Sequence, residues 1–286
     1  MTLSSFVYSG LNSGYPGKIA RAFLVFFWML VFLPQPGTAQ EKTLTTPLGM
    51  SFVLVEPGTF MMGSPDTERF RDADETSRSV IIETAFYLQT TEVTLGQWRA
   101  VMGEKWLNKR KGTENMPITQ VSYYDCLEYI EKLNKKGMGV YRLPTEMEWE
   151  YACRAGTTTA YSWGGDIDCS KAMYGNNSKK DDKCTPYLRS IEIDPDGPAP
   201  VKTFAPNPWG FYDMHGNVWE WCSDKYVPQG SAQGVKGYSP IDSDSHIRRG
   251  GSWYKYGRYL RSANRTYAHP GAKFTTTGFR LVRETD

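Results

Sequence analysis

Apolar and polar positions alternate along much of the chain in short runs that end at turn residues. Ser51–Gly63 (SFVLVEPGTFMMG) predicts two strands joined at Pro57-Gly58, a turn dipeptide between apolar runs. Val80–Glu92 alternates enough for a further strand pair. The period then changes. Thr94 to Gln97 has the spacing of a helix cap, with Leu95 to Met102 as a short helix, and Ser122 to Asp125 opens a second helix in the same way. That helix sets Cys126, Leu127, Ile130 and Leu133 on one face, which makes Cys126 a small buried hydrophobe. In YRLPTEMEWEYACRAG, Thr145 and Glu148 form a capping box and Gly156 is placed to end the helix. Asp166 to Pro200 is polar, acidic and irregular, a long insertion rather than a second domain.

The most concentrated pattern is Gly210 to Asp224, GFYDMHGNVWEWCSD, where Phe211, Trp219 and Trp221 flank an acidic, glycine-punctuated turn. Asp213 and Glu220 offer carboxylate oxygens, and Gly216 and Val218 offer backbone carbonyls. A hard cation such as calcium takes several such oxygens at about 2.3–2.6 Å. If residues 216–220 run extended, positions 216, 218 and 220 share a direction and one segment can wrap one ion. On spacing alone, a capped turn with its acids in solvent and its tryptophans in the core accounts for the stretch equally well.

Upstream, residues 1–39 hold Lys18 and Arg21, no acid, and an apolar run from Ala22 to Leu33. As a helix that run covers about 18 Å, short of the roughly 30 Å of bilayer hydrocarbon. Pro34 and Pro36 break it, and Gly37-Thr38-Ala39 supplies the small residues of a cleavage site, so residues 1–39 read as a signal peptide, the other reading being a short membrane anchor left in place. A secreted or periplasmic location follows, with no membrane attachment after cleavage. Residues 40–47 are then a short linker and 48–283 the domain. Without Lys18 and Arg21 the 33 basic side chains fall to the number of acids, 31, and nothing argues for nucleic acid.

Aromatic residues make up 14% of the chain, which with 27 Gly and 17 Pro suits many short elements pinned by rings better than a helical bundle. The five cysteines cannot all pair within one chain. In an oxidising compartment Cys169 and Cys184 can close an otherwise polar loop; connectivity is not readable from spacing. The three histidines, His215, His246 and His269, stand at no zinc-ligand spacing.

The segments GMSFVLVEPGTFMMGS, TEVTLGQW, RLPTEMEWEYACRAG, GNVWEW, RGGSW and GFRLV occur in an order that resembles the sulfatase-modifying-factor, or formylglycine-generating-enzyme, domain family over nearly all of residues 48–283. The resemblance implies a single α+β domain of the C-type-lectin-like kind, low in regular structure and stabilised by bound calcium. It puts the calcium ligands on Asp213, Gly216, Val218 and Glu220. A second calcium site of the family falls near Ala172-Met173-Tyr174, where a thioether stands in place of an oxygen ligand; Asn176, Asp194 and Asp196 are the nearby alternatives, and that site stays unassigned.

The family's oxidases resemble copper enzymes that act on a sulfatase peptide through two cysteines, the first of them three residues after the serine of the GGS motif. Here that serine is Ser252 and the matching residue is Lys255, and no cysteine follows Cys222. An ammonium cannot replace a thiolate on Cu(I), so copper and cysteine-to-formylglycine conversion are not expected. What the segment does carry is Trp253, Tyr254, Lys255, Tyr256, Arg258 and Tyr259, followed by Arg265, the residue types of a contact surface. With Ser252 they form a candidate groove for a peptide, protein or small-molecule ligand. Alternate residues of Trp253–Tyr259 also fit a half-buried strand.

The favoured function is therefore a secreted, calcium-stabilised binding module. The alternative is an oxidoreductase of the formylglycine-generating or siderophore-maturation type working without the cysteine pair, for which Tyr254, Tyr256, Lys255, Glu220 and His269 are the chemical candidates. A structural partner of another envelope protein is the third class.

Overall fold

A computed structural model describes residues 41–104, 112–175, 184–227 and 244–285, all within one compact unit, Glu41–Asp286. The expected signal segment lies outside the described residues. Among the described residues no helix is long and apolar enough to cross a membrane.

Three helices begin where side-chain oxygens can replace missing intrahelical acceptors. Helix α1 (Leu95–Met102) is capped by Thr94 with Gln97 returning the bond, α2 (Tyr123–Asn134) by Ser122 with Asp125, and α3 (Glu146–Arg154) by Thr145 with Glu148. The α3 helix ends at Arg154, two residues before Gly156, with Ala155 between them in the left-handed conformation at φ 47°. The predicted face of α2 holds for Cys126, Ile130 and Leu133, but Leu127 is 42% exposed and Tyr129 is buried in its place. A spacing of three from Cys126 to Tyr129 serves the apolar stripe better than the adjacent position does.

Among the described residues, eleven short strands build three sheets. The first four are β1 (Thr43–Thr45), β2 (Ser51–Val55), β3 (Gly58–Met62) and β4 (Arg78–Ile82), and the next three are β5 (Phe86–Gln89), β6 (Tyr141–Arg142) and β7 (Trp219–Lys225). The last are β8 (His246–Arg249), β9 (Thr266–Ala268), β10 (Thr277–Gly278) and β11 (Val282–Glu284). The five-stranded sheet runs β1-β2-β5-β11-β6 with every pair antiparallel. The second runs β10-β7-β8-β9 and is mixed, since β10 lies parallel to β7. The strands on either side of Pro57-Gly58 are where the pattern puts them, yet they are not partners: β2 pairs with β5 and β3 with β4. Thr43–Thr45, expected as linker, form an edge strand against β2.

One apolar core packs α1 and α2 on the five-stranded sheet, with Trp98 stacked on Tyr129 at 5.1 Å between ring centres. A second packs α3 between β3, β4 and β7 and contains Cys153 and Cys222. The insertion Asp166–Pro200 contains a short helix, α4 (Thr185–Ser190), and is fastened by a disulfide between Cys169 and Cys184, the pair the spacing allowed.

Candidate functional site

Helix α3 sets Glu146 and Glu150 one turn apart, on the side that faces β8 and the chain after it. Arg249 on β8 is fully buried and bonds Glu150 and, at 3.2 Å, Glu146; it also donates to the carbonyls of Ser262 (2.6 Å) and Ala263 (3.0 Å). Arg154 adds a 2.9 Å bond to Glu150, and Glu150 accepts the Gly63 N–H at 2.8 Å. Further out, Arg261 bonds Glu75 and Glu68. This network holds the residues 246–265 against the rest of the fold and so fixes the stretch expected to meet a ligand.

Several of the expected groove residues sit elsewhere. Ser252 is fully buried and its Oγ has no hydrogen-bond partner. Arg265 points its guanidinium at Glu146 (2.6 and 3.0 Å) with 4% of its side chain exposed, so it belongs to the ion-pair network. Trp253–Tyr259 is not a strand: a turn leads into a 3-10 helix, Gly257–Leu260, because Gly250 and Gly251 both have positive φ and turn the chain out of β8. Trp253 and Lys255 are half-buried, while Tyr254 and Tyr256 are exposed. The Lys255 ammonium lies 5.2 Å from the centre of the Tyr259 ring, and the Arg258 guanidinium lies 4.8 Å from it.

Tyr256 and Arg258 do line a cavity of about 630 Å³, with Phe70, Tyr161, Asp166 and Ile167 among the other walls. Sequence reading missed Phe70. It stands 51% exposed at the cavity with φ 65°, a left-handed conformation that costs a non-glycine residue roughly 1–2 kcal/mol. The Arg69 guanidinium lies 4.5 Å from its ring. A strained backbone that holds an aromatic ring toward open space at a cavity is a feature of ligand sites more than of packing. No pattern of period marks such a residue in the sequence.

The three unpaired cysteines, Cys126, Cys153 and Cys222, are fully buried, and burial raises all three thiols, Cys153 to about 12. Cys153 lies 3.6 Å from His215 Nε2. That imidazole is pushed down to about 4 by burial, donates from Nδ1 to the Leu260 carbonyl, and accepts the Ser162 N–H. A protonated thiol beside a neutral imidazole is a packed pair, not a thiolate nucleophile. His269 is exposed and its Nδ1 accepts the Gly271 N–H.

The acidic turn differs in shape from an extended ligand strap. Strand β7 begins only at Trp219, and Asp213, Gly216 and Asn217 all have positive φ, so 216, 218 and 220 do not share a direction by strand period. The Gly216 conformation is obligatory in space as well, since a Cβ there would stand 2.4 Å from the Met173 carbonyl. The folded turn instead gathers acids. Glu220 is fully buried and takes a bidentate bond from Arg280 (2.6 and 2.7 Å) plus the Trp149 indole N–H at 2.7 Å. Asp213 accepts the Lys202 N–H and lines a second cavity of about 300 Å³. Glu92 joins them: its Oε1 accepts from the Asn217 amide at 3.1 Å, and its carboxyl is hydrogen-bonded to that of Asp213. Burial, then the charges of Asp213 and Glu220, raises the Glu92 carboxyl well above the usual range, and burial raises Asp213 to about 6.

Glu92 was not singled out in the sequence, lying far from the turn in chain order. Among the described residues no three His, Cys, Asp or Glu side chains stand as a ready metal shell. The oxygens of Glu92, Asp213 and Glu220 are nonetheless of the chemical type a hard divalent cation takes. Arg280 occupies both oxygens of Glu220, and Glu92, its carboxyl raised by burial, shares a hydrogen bond with Asp213. Of the alternatives for a second site, Asp194 bonds the Asp196 N–H, the Met173 carbonyl accepts the Asn217 N–H, and Asn176 lies outside the described residues.

Few, short helices and small, partly mixed sheets give a fold that is also seen in solved structures. PvdO from Pseudomonas aeruginosa superposes with a TM-score of 0.68 at 26% identity, over 88% of this chain and 100% of that one. Treponema denticola variable protein 1 shares the fold at 22% identity and the same TM-score of 0.68, over 86% of this chain and 100% of that one. The chain belongs to the sulfatase-modifying factor enzyme 1-like domain family, whose model matches residues 37–285. The formylglycine-generating enzyme of Streptomyces coelicolor is 31% identical over 66% of this chain and 61% of its own length. The serine/threonine-protein kinase pkn1 of Chlamydia caviae is 29% identical over 85% of this chain, which spans only 40% of that relative.

Proposed function

We propose that the chain is a secreted or periplasmic member of its family that binds a peptide, protein or small-molecule ligand, with a C-type-lectin-like domain stabilised by calcium, and that it does not convert cysteine to formylglycine. One observation carries the reading. At the position where the family resemblance puts the first oxidase cysteine stands Lys255, its ammonium over the Tyr259 ring, while the three unpaired thiols lie fully buried in apolar cores. The cavity beside Tyr256 and Arg258, with Phe70 held at its edge, supplies the surface for a ligand. For calcium, Glu92, Asp213 and Glu220 supply the charge, and the Gly216 and Val218 carbonyls are the main-chain candidates. Bound there, the ion would neutralise the acids and fix the turn.

Likeness to the formylglycine-generating enzymes and to PvdO supports the second reading, an oxidoreductase that manages without the cysteine pair. Metal analysis of the purified chain separates the two. Calcium near one ion per chain, with no copper or iron retained, is the expected result; a stoichiometric transition metal would overturn the binding reading in favour of the enzyme.

A further inference from the structure

Among the described residues, buried arginines follow a rule with one exception. Arg154, Arg249, Arg261 and Arg280 are each bonded to a buried carboxylate. Arg248, on the opposite face of β8 from Arg249, is 9% exposed and has no acid. Its Nη1 donates to Thr277 Oγ1 at 2.9 Å and its Nη2 to the Tyr267 carbonyl at 3.1 Å, while Nε–H has no partner. A guanidinium has five N–H donors in a fork, so most of its capacity is unspent. Burial with nothing to offset it lowers Arg248 to about 10, the opposite direction from Arg249, Arg261 and Arg280.

Three rings surround the guanidinium, Phe274 at 4.8 Å, Trp221 at 5.5 Å and Trp219 at 6.0 Å. Ring faces attract a cation but carry no formal charge, and they do not return what desolvating an ion costs. The cover is thin: Phe274 is 39% exposed, Thr275 is exposed, and the indole N–H of half-exposed Trp253 reaches the Thr275 carbonyl at 3.5 Å. An unpaired arginine is thus stored under one surface ring, next to the segment that carries the proposed contact residues.

We propose that Arg248 anchors an oxyanion subsite: a carboxylate or phosphate group arriving at the Phe274–Thr275 edge displaces the Phe274 ring and takes the guanidinium's unspent donors. Arg is suited to either oxyanion, since its fork matches both geometries. The site borders the acidic turn through Trp219 and Trp221 but uses none of its carboxylates and none of the walls of the 630 Å³ cavity, so its test is separate from that of the function proposed above.

The probes are inorganic phosphate and acetate, each compared with chloride at fixed ionic strength on the full chain, by thermal unfolding and titration calorimetry. Wild type is expected to melt several degrees higher in at least one of the two, the one that acts identifying phosphate or carboxylate as the group preferred. Arg248→Met should lose that shift, bind the same anion more than about tenfold more weakly, and melt no lower than wild type in chloride, because it removes a charge the fold leaves unpaired. Arg248→Lys, keeping the charge without the fork, should retain part of the shift. No heat and no shift in wild type with either anion would overturn the proposal. So would an Arg248→Met chain that melts lower in chloride, or fails to fold, since Arg248 would then be a structural cation held by its rings.

Discussion

Glu150→Ala is expected to cost about 3–5 kcal/mol of unfolding free energy, the range for breaking a buried ion pair from one side. Glu150 is 1% exposed and is the shared acceptor of Arg154 and Arg249 and of the Gly63 N–H. Its loss leaves two buried guanidiniums short of a counter-charge, and Arg249 retains only the longer bond to Glu146 at 3.2 Å. The effect reaches the candidate site because Arg249 also grips the carbonyls of Ser262 and Ala263, just after the 3-10 helix that carries Arg258. Urea unfolding followed by tryptophan fluorescence measures it. A loss under about 1 kcal/mol, the range of an exposed pair, would mean that the network is wetter than its geometry.

The second large effect depends on conditions. Glu92→Gln is expected to leave stability in chelator unchanged or raised, and to abolish the gain that calcium gives wild type, about 2.7 kcal/mol at a hundred times the dissociation constant. The sign follows from Glu92 itself, whose carboxyl is raised well above the usual range by burial and by the charges of Asp213 and Glu220, so that an uncharged isostere with an N–H donor toward Asp213 stands in for the protonated group. Glu220→Ala is the poorer probe. It strands Arg280, which spends its Nε and one Nη2 bond on that carboxylate, and should therefore destabilise with or without calcium. Thermal unfolding of wild type and Glu92→Gln, each in calcium and in chelator, decides the matter. A calcium shift that survives Glu92→Gln would move the ion elsewhere.

What the sequence disclosed of this fold was local. Capping boxes at Thr94, Ser122 and Thr145 are written within four residues, and all three helices start there. Strand positions around Pro57-Gly58 were equally legible, but their partners were not: β2 and β11 flank β5 from opposite ends of the chain, and period-two alternation says nothing about which strand lies alongside. The acidic turn was visible as composition, while its closing acid, Glu92, comes from the loop after β5 and looks like any other glutamate in sequence. Arg265 read as a contact residue because arginine in an aromatic segment has that appearance. Only the fold reveals that Glu146 claims it. Phe70 and Arg248 were invisible for the same reason, since a strained φ and an absent counter-ion are properties of three-dimensional placement.

In this member of the family the three unpaired thiols are sealed in the core, and Lys255 stands where the resemblance puts the first oxidase cysteine. Incubating the purified chain, loaded with copper, with a sulfatase-motif cysteine peptide and oxygen tests the consequence most directly, with aldehyde scored by mass spectrometry. The account predicts that the peptide cysteine is recovered unchanged. Catalytic formation of formylglycine would contradict it and would require an oxidase chemistry that none of Cys126, Cys153 and Cys222 is placed to perform.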